Sequence, residues 1–498
     1  MTLLLGVGFA GSSVAAPGDT ENGEQIYYKR CLACHGEDGD GLGPAAERLN
    51  PPPRDFSSGQ YKIMSTAFDE MVPQDDDIFR MIAEGMPGTA MPGWSDILSQ
   101  QEMWDLVAYI KVFAGYDEEE PGPLVDYGTQ VASSPESIAR GDELFHESDR
   151  CSECHGESGK GDAIKGLKDD NGERTWPRNL TKPWTFRGSN SPKDIYARVS
   201  AGIPGTQMPS FADPDSTKVL TIEDRWHVAN YVESLAAGTE RVNPDNTVIK
   251  AGRAEGGIPT SWDDPAWGSA PASTFMLVPQ IIAKQRHFTP SNDTVTVRAV
   301  YDDEQIAILV EWDDRTRSIP GDEKAEKISN PDISEDSVAI QLPIEIPEGM
   351  EKPYFGMGDA SHPVNIWQWK SGTAETSSSV HLMNGQGFED IEQREADSIQ
   401  VAATGAYNNG TWRVVFTRPL VTTETDKDIQ FQEGVFIPIA FAAWDGSASE
   451  AGSQHTMTTW YWLSLQSSSG SRPFFIALLA ALLVAGLLYF WVRSARPQ

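Results

Sequence analysis

The spacing of apolar residues differs between the first and second halves of the 498-residue chain. In the first half, apolar side chains recur at helical intervals, which is typical of helices with one buried face. Residues 104–113 and 226–235 show this pattern. The first half is therefore predicted to form all-α domains.

Beyond residue 257 the pattern becomes an alternation of apolar and polar residues, which predicts β-strands. The sequence Asn408-Asn409-Gly410 separates two of these runs and predicts a hairpin turn. Several short runs bounded by turn residues are typical of an antiparallel β-sandwich. The predicted strands cover residues 295–301, 306–312, 337–342, 399–406, 411–417 and 435–444.

Apolar segments also lie near both ends of the chain. Residues 3–10 are apolar and small residues follow them, which predicts a secretory signal peptide at residues 1–16, although no positive charge precedes the run. Residues 474–492 carry no charged or strongly polar side chain, so they predict a transmembrane helix. Arginines follow that helix and favour the cytoplasmic side for its end, which leaves the bulk of the chain outside.

The helical half contains an internal repeat, in which residues 83–92 match residues 200–209. A repeat shows which residues correspond before any single residue is interpreted. Met91 and Met208 occupy the same position in the two copies. Met86 lies opposite an isoleucine, which cannot bind a metal, so Met86 is predicted to be a packing residue.

Every cysteine belongs to one of two Cys-x-x-Cys-His sequences, at residues 31–35 and 151–155. This sequence attaches haem c covalently, and its histidine is available to bind the iron. Zinc binding is the alternative, but a zinc site needs a second ligand pair, and the spare cysteines lie in the other copy. Two covalent haem c groups are therefore predicted. The predicted attachment residues and iron ligands are Cys31, Cys34, His35 and Met91 for one haem, and Cys151, Cys154, His155 and Met208 for the other.

Two further kinds of residue are candidates for the haem sites. His146 and His227 could bind iron, but neither has a histidine at the matching position of the other copy. Proline-arginine steps do recur, and they place Arg54 and Arg178 at matching positions. These arginines are predicted to pair with haem propionates through charged hydrogen bonds, with simple exposure to solvent as the alternative.

The first helix of each copy carries a glycine and an aromatic residue. They are Gly23 and Tyr27 in the first copy, and Gly141 and Phe145 in the second. A small residue at this position lets the last helix of the copy cross closely. These features resemble the small class I cytochrome c fold, over about residues 20–115 and 138–237.

The resemblance implies electron transfer rather than catalysis. Histidine and methionine fill both axial positions of the iron, so no open position remains for oxygen, peroxide or substrate. No catalytic residues are predicted, because the chain has no Ser-His-Asp set, phosphate loop or dinucleotide fingerprint. A dihaem peroxidase-like enzyme is the alternative, and it would need one haem with an open position.

The chain is strongly acidic, with 73 acidic and 39 basic residues and a formal net charge of -34. Nucleic-acid binding requires basic patches, so this class of function is excluded. The acidic surface is consistent with solubility and with docking onto a basic partner.

The β-rich half resembles the haem b-binding subunit of ethylbenzene dehydrogenase and its relatives, which serve molybdenum enzymes of the DMSO reductase family. The resemblance covers roughly residues 258–466. It rests on Glu311-Trp312-Asp313-Asp314, Phe355-Gly356-Met357-Gly358-Asp359, Val364-Asn365-Ile366-Trp367-Gln368-Trp369-Lys370, Ala443-Trp444-Asp445-Gly446 and Trp460-Tyr461-Trp462-Leu463.

This resemblance implies one non-covalent haem b, which a methionine and a lysine hold in that family. Met357 matches the methionine. His455 stands where the lysine would fall, and this departure puts the second ligand in doubt. A methionine and a histidine would also fill both axial positions of the iron. The other candidate ligands are His287, His362, His381 and Lys370.

Together these patterns predict a membrane-anchored electron-transfer subunit, not an enzyme, on the periplasmic or extracytoplasmic side of the cytoplasmic membrane. Its expected partners are the molybdenum and iron-sulfur subunits of an oxidoreductase, such as nitrite oxidoreductase, and a cytochrome or respiratory complex. A β-sandwich that binds a sugar or protein and no haem is the other alternative. The predicted segments are a signal peptide (1–16), cytochrome c domain 1 (17–116), a linker (117–137), cytochrome c domain 2 (138–240), a linker (241–257), the haem b-binding β-sandwich (258–466) and the transmembrane helix (474–492).

Overall fold

A computed structural model describes residues 18–488 apart from several gaps. The predicted signal peptide at residues 1–16 lies outside the described residues. The gaps are residues 50, 149, 163–165, 170–171, 173, 240–241, 243–244, 281–291, 330–331, 350, 396–399 and 467–478.

The first helical domain packs its helices around one apolar core. Its first helix begins after Asp19, whose side chain accepts hydrogen bonds from the backbone N–H groups of Glu21 and Asn22. Its last helix begins with a capping box between Ser99 and Glu102. The helices are α1 (Thr20–Arg30), α2 (Leu32–His35), α3 (Asp75–Glu84) and α4 (Gln100–Phe113).

The second helical domain repeats this arrangement around its own core. Ser134 and Thr221 cap the first and last of its helices, and each accepts a hydrogen bond from a backbone N–H one turn later. The helices are α5 (Pro135–His146), α6 (Ser152–His155), α7 (Pro192–Ala201) and α8 (Ile222–Leu235).

The two glycines of the first helices allow the close helix crossing that the sequence predicts. A Cβ atom on Gly23 would lie 2.0 Å from the backbone oxygen of Asp105 on α4. A Cβ atom on Gly141 would lie 2.1 Å from the backbone oxygen of His227 on α8. Only a residue without a side chain fits at either crossing, so the predicted role of these glycines is confirmed.

The β domain contains most of the strands of the chain and a short helix, α9 (Glu323–Ile328). Its strands are β1 (Val248–Arg253), β2 (Ser273–Met276), β3 (Val278–Pro279), β4 (Thr294–Tyr301), β5 (Gln305–Asp313), β6 (Ser337–Pro343), β7 (Val364–Lys370), β8 (Ser379–Gly385), β9 (Ile391–Gln393), β10 (Ala402–Asn408), β11 (Thr411–Pro419), β12 (Ile437–Trp444), β13 (Thr456–Met457) and β14 (Tyr461–Leu465). The predicted hairpin at Asn408-Asn409-Gly410 joins β10 to β11.

The strands form one sheet whose two halves pack face to face. The main path runs in the order β10-β11-β5-β4-β1-β14-β12-β6-β7-β8-β9. Trp369 on β7 contacts Trp412 on β11 and Trp312 on β5, with ring centroids 5.0 and 6.4 Å apart. Since β7 and β5 lie on opposite arms of the path, these rings fill the core between the two halves.

The prediction of a purely antiparallel sandwich is wrong at β1. This strand pairs in parallel with both β14 and β4, so the sheet is mixed. Alternation of apolar and polar residues reports which face a side chain occupies, but it does not report the direction of the neighbouring strand.

The prediction of a transmembrane helix at residues 474–492 is wrong for the part that the structure describes. No described helix is long and apolar enough to cross a membrane. Of the predicted segment, residues 479–488 are described, and they are helical. Residues 474–478 and 489–492 lie outside the described residues.

Candidate haem-binding sites

The first Cys-x-x-Cys-His sequence forms the short helix α2, and His35 ends it in a buried position. Nδ1 of His35 lies 3.0 Å from the backbone oxygen of Arg54 and donates a hydrogen bond to it. Burial lowers the pKa of His35, which keeps the imidazole neutral. A neutral ring that donates from Nδ1 presents Nε2 as the iron ligand.

The second site has the same arrangement. His155 ends α6, and its Nδ1 lies 3.1 Å from the backbone oxygen of Arg178. The sequence predicted a role for the side chains of Arg54 and Arg178, but the structure adds a role for their backbone carbonyls. These carbonyls orient the two histidines. The recurring position of the arginines in the repeat was the available indication of this role.

The cysteines do not form a zinc site in the described part of the chain. The described group of His, Cys, Asp and Glu residues that could hold a metal ion is Asp314, Asp336 and Asp445, which contains no cysteine. The surroundings of the motifs therefore fit haem attachment better than zinc.

The two methionine loops share one hydrogen-bond pattern. In the second loop, Thr206 donates from Oγ1 to the backbone oxygen of Ile203 at 2.8 Å and accepts from the backbone N–H of Met208 at 3.2 Å. The corresponding bonds of Thr89 in the first loop measure 2.8 and 3.1 Å. Because the backbone of Met91 is held like that of Met208, the loops present the two methionines in equivalent positions.

A cavity of about 1160 Å³ adjoins both methionine loops. Cys151, Cys154, His155 and Met208 line it together, so the structure brings the predicted residues of the second site to one space. Met91 of the first site lines the same cavity. The two sites are therefore neighbours.

The alternative histidines are occupied by other contacts. His146 places Nδ1 3.0 Å from the backbone oxygen of Asp142 and Nε2 2.9 Å from that of Glu157. His227 places Nδ1 2.8 Å from Oγ of Ser137. These contacts favour His35 and His155 as the iron ligands.

The third candidate site lies on the outer face of the sheet, away from the tryptophan core. We call this apolar surface the outer cluster, and Met357 packs against it. Small side chains on β6 and β12 leave the surface flat, as in the cross-strand pair Ala339 and Ala442. Nε1 of Trp460 is buried here without a hydrogen-bond partner among the described residues. A flat apolar wall with an unpaired polar atom fits a planar, largely apolar cofactor. The outer cluster comprises Ala339, Val364, Ile366, Ala440, Trp444 and Trp460, with Met357, Met383 and Ala442 at its border.

Met357 is held in an unusual backbone conformation. Its φ is 64°, which lies in the left-handed region that side-chain-bearing residues rarely adopt. Its carbonyl accepts a hydrogen bond of 2.9 Å from the backbone N–H of Gly387. Strain of this kind costs about 1–3 kcal/mol and persists where the surrounding structure imposes it, often at functional sites.

His455 lies beside the same surface. Its ring packs on Trp444 of the outer cluster, with centroids 4.7 Å apart. Nδ1 lies 3.1 Å from the backbone oxygen of Gly452, which leaves Nε2 available. Burial lowers the pKa of His455 to about 4, so the ring is neutral and suited to bind iron.

The other candidate ligands of haem b are less suited than His455 to bind the iron. Both ring nitrogens of His381 are engaged, with Ser379 at 3.0 Å and Gln393 at 3.1 Å. His362 is partly exposed and pairs with Asp359. The remaining candidates are Lys370, which lies 3.9 Å from Glu335, and His287, which lies outside the described residues.

Comparison with protein families agrees with the division of the chain into two helical domains and one β domain. Residues 264–393 and 382–456 match the ethylbenzene dehydrogenase family. Residues 18–110 match subunit III of cbb3-type cytochrome c oxidase, and residues 138–236 match the cytochrome c family. The β domain thus matches the ethylbenzene dehydrogenase family over residues 264–456, and two domains that match cytochrome c families precede it. The two helical domains therefore imply haem c, and the family that the β domain matches is a haem b-binding family.

The similar curated proteins are subunits of larger enzymes. Dimethylsulfide dehydrogenase subunit gamma of Rhodovulum sulfidophilum is 26% identical over 48% of this chain and 90% of its own length. Chlorate reductase subunit gamma of Ideonella dechloratans is 23% identical over 46% of this chain and 89% of its own length. A heme subunit of Haloferax mediterranei, which its name assigns to a respiratory nitrate reductase, is 24% identical over 47% of this chain and 79% of its own length.

A solved structure is also similar. The chain matches a component of the Kuenenia stuttgartiensis reducing HAO-like protein complex with 36% identity, over 45% of this chain and 99% of that chain, with a TM-score of 0.41. The predicted family resemblance is confirmed by the family matches. The prediction of an electron-transfer subunit rather than an enzyme is confirmed by the curated relatives, which are gamma and heme subunits.

Proposed function

We propose that this chain relays single electrons through two haem c groups and one haem b, between a molybdenum oxidoreductase and a cytochrome or respiratory complex. Bound haem supplies a one-electron redox couple. The observation that carries the proposal is the repeated site, in which the histidine of each motif donates Nδ1–H to a backbone carbonyl and an equivalent methionine loop recurs.

Each proposed site offers two protein ligands for a haem iron. His35 with Met91, and His155 with Met208, would hold the two covalent haems, which would be attached at Cys31, Cys34, Cys151 and Cys154. Met357 and His455 would hold the haem b on the outer cluster. With two protein ligands the iron would have no free position for a substrate, and the methionine would favour its reduced state.

The partner follows from the relatives. The names of three relatives assign them to dimethylsulfide dehydrogenase, chlorate reductase and respiratory nitrate reductase. We propose that this chain serves an enzyme of the same kind, with nitrite oxidoreductase as one candidate. The cytochrome c domains suggest an extracytoplasmic location, because haem c is attached outside the cytoplasm in bacteria.

Haem analysis of the purified full chain tests the cofactor content. Acid-acetone extraction followed by pyridine haemochrome spectra should give two covalent haems and one extractable haem per chain. A chain without extractable haem would contradict the third site and favour a β domain that binds another ligand. A resting ferric haem that is high-spin and binds cyanide rapidly would contradict the relay and favour an enzyme.

Co-purification tests the partner. The chain isolated under native conditions from its own cells should carry stoichiometric molybdenum by metal analysis. Isolation of an intact complex without molybdenum would contradict the proposed partner but not the haem sites.

A further inference from the structure

Several arginines line the cavity of the second haem c site, and three of them, from two domains, lie close to one another. Arg178 and Arg187 belong to the second helical domain, and Arg315 follows β5 of the β domain. The same cavity is lined by His155 and Met208. The β domain therefore places a guanidinium in the space that the second haem c would occupy.

These guanidiniums lie close together, and none of them forms an ion pair with a described carboxylate. Burial, and then the positive charge of Arg187 and Arg315, lowers the pKa of Arg178. Burial, and then the charge of Arg315, lowers the pKa of Arg187 to about 10. In the described part of the chain, none of the three has a carboxylate oxygen within 4.0 Å. More distant carboxylates, Asp445, Asp314 and Asp293, offset part of the charge of Arg315. A cluster of partly buried cations without ion pairs is costly, so an anion between them should balance it.

Two of the carboxylates that line the cavity, Asp313 and Asp293, form ion pairs with lysines, whereas Asp314 lines it beside Arg315. Asp313 pairs with Lys182 at 3.0 Å and with Lys160 at 3.2 Å. Asp293 also pairs with Lys182. These lysines, and not the arginines, neutralise the acidic side of the cavity.

Arg315 has an unpaired polar atom in addition to its charge. Its Nε is buried and has no hydrogen-bond partner among the described residues. Its guanidinium lies 5.6 Å from the ring centroid of Trp176, a distance at which a cation and an aromatic ring attract each other. A planar guanidinium with a free N–H is suited to bind a carboxylate.

We propose that Arg187 and Arg315, together with Arg178, bind the propionate groups of the haem c attached at Cys151 and Cys154. The β domain thereby completes the haem site of the second cytochrome c domain. This inference rests on the proposed function, because it requires haem c at this motif.

Redox titration of the full chain tests the role of Arg315. A positive charge beside a haem favours its reduced state, so R315Q should lower the midpoint potential of one covalent haem. We expect the ratio of reduced to oxidised haem at a fixed ambient potential to fall by about tenfold, or about 59 mV for a one-electron couple. R187Q should lower the same potential. R317Q, at an exposed arginine two residues away, is the matched control and should leave all potentials unchanged.

The conservative variant R315K separates charge from packing. It keeps the positive charge and should retain most of the wild-type potential, whereas an equal loss in R315K and R315Q would overturn the inference. Unchanged potentials in both R315Q and R187Q would overturn it as well. Failure of the proposed function is distinguishable, since it would appear in the wild-type chain as a covalent haem count other than two.

Discussion

At the scale of residues, one hydrogen bond decides which nitrogen of each haem c histidine is free. The carbonyls of Arg54 and Arg178 accept from Nδ1 of His35 and His155, so Nε2 is left for iron. The cysteines, histidines and methionines of these sites could be proposed from sequence because they recur in the repeat. The acceptor carbonyls could not, because a backbone contact across about 20 residues leaves no requirement on side-chain type.

Removal of an axial methionine tests the first pair of sites. Met208→Ala should open one iron and lower its midpoint potential, because the thioether favours the reduced state. Redox titration and binding of an external ligand such as cyanide measure both effects. Met86→Ala is the matched control, since that residue is predicted to pack rather than bind iron. Unchanged potentials in Met208→Ala would show that another residue is the ligand.

Substitution of His455 tests the proposed haem b site. His455→Ala should release the extractable haem and leave both covalent haems in place, which haemochrome analysis measures directly. His381→Ala is the control, because both nitrogens of His381 are already engaged. Full retention of haem b in His455→Ala would redirect the search to the other candidates.

The strain at Met357 could not be found from sequence. Two glycines beside a methionine indicate a loop, but the left-handed φ of the methionine itself depends on contacts made by distant strands. The carbonyl bond to Gly387 and the packing on Gly385 of β8 are such contacts. A strained residue of this kind is a candidate for function only once the fold is known.

At the scale of elements, the helices and methionine loops were predictable and the direction of β1 was not. The repeat indicates which glycines permit the helix crossing. It also shows that a threonine follows a glycine in both methionine loops. The strand β1 pairs with β14, which is far along the chain. Period-2 alternation gives the buried face of a strand but no information on so distant a partner.

The helix crossing predicts the effect of a single methyl group. Gly141→Ala gains about 0.8–1.0 kcal/mol of helix propensity, but its Cβ would lie 2.1 Å from the oxygen of His227. We expect the clash to prevail and to destabilise the second helical domain by about 1–3 kcal/mol. Thermal or denaturant unfolding measures this change.

Gly256→Ala is the matched control, because a Cβ atom there would meet nothing within 4 Å. An equal effect in the two variants would show that the close crossing of α5 and α8 does not limit stability.

At the scale of the whole molecule, ion pairs connect the domains around the shared cavity. Lys160 and Lys182 of the second helical domain pair with Asp313 of the β domain. Arg80 of the first helical domain pairs with Asp194 of the second. Such contacts could not be predicted from the sequence, because it does not show which of the many acidic residues lies near a given lysine or arginine in the fold.

The pairing of Asp313 predicts a pH dependence of stability. Burial alone would raise the pKa of Asp313, but Lys182 and Lys160 offset this and hold it well below its usual value. An acid with a lowered pKa in the folded state stabilises fully above its unfolded pKa of about 3.9. That contribution is lost as the pH falls toward the folded pKa.

Asp313→Asn should therefore destabilise the chain at pH 7 by about 2 kcal/mol, the order of a hydrogen bond to a charged group. The difference from wild type should shrink below pH 4, as measured by unfolding at several pH values. Asp215→Asn, at an exposed position, should show no such difference. A deficit in Asp313→Asn that stays constant down to pH 2 would contradict the assigned pKa.

The position of β1 has a consequence for how the protein is made. Val248 and Ile249 of β1 pair with Trp462 and Leu463 of β14, and β1 also joins β4. The sheet thus cannot close until the final strand has emerged during synthesis, whereas both helical domains contain all their helices by Leu235. If the chain binds haem as proposed, thioether formation at the two upstream motifs can precede closure of the sheet, because both motifs lie in domains whose helices are complete by Leu235.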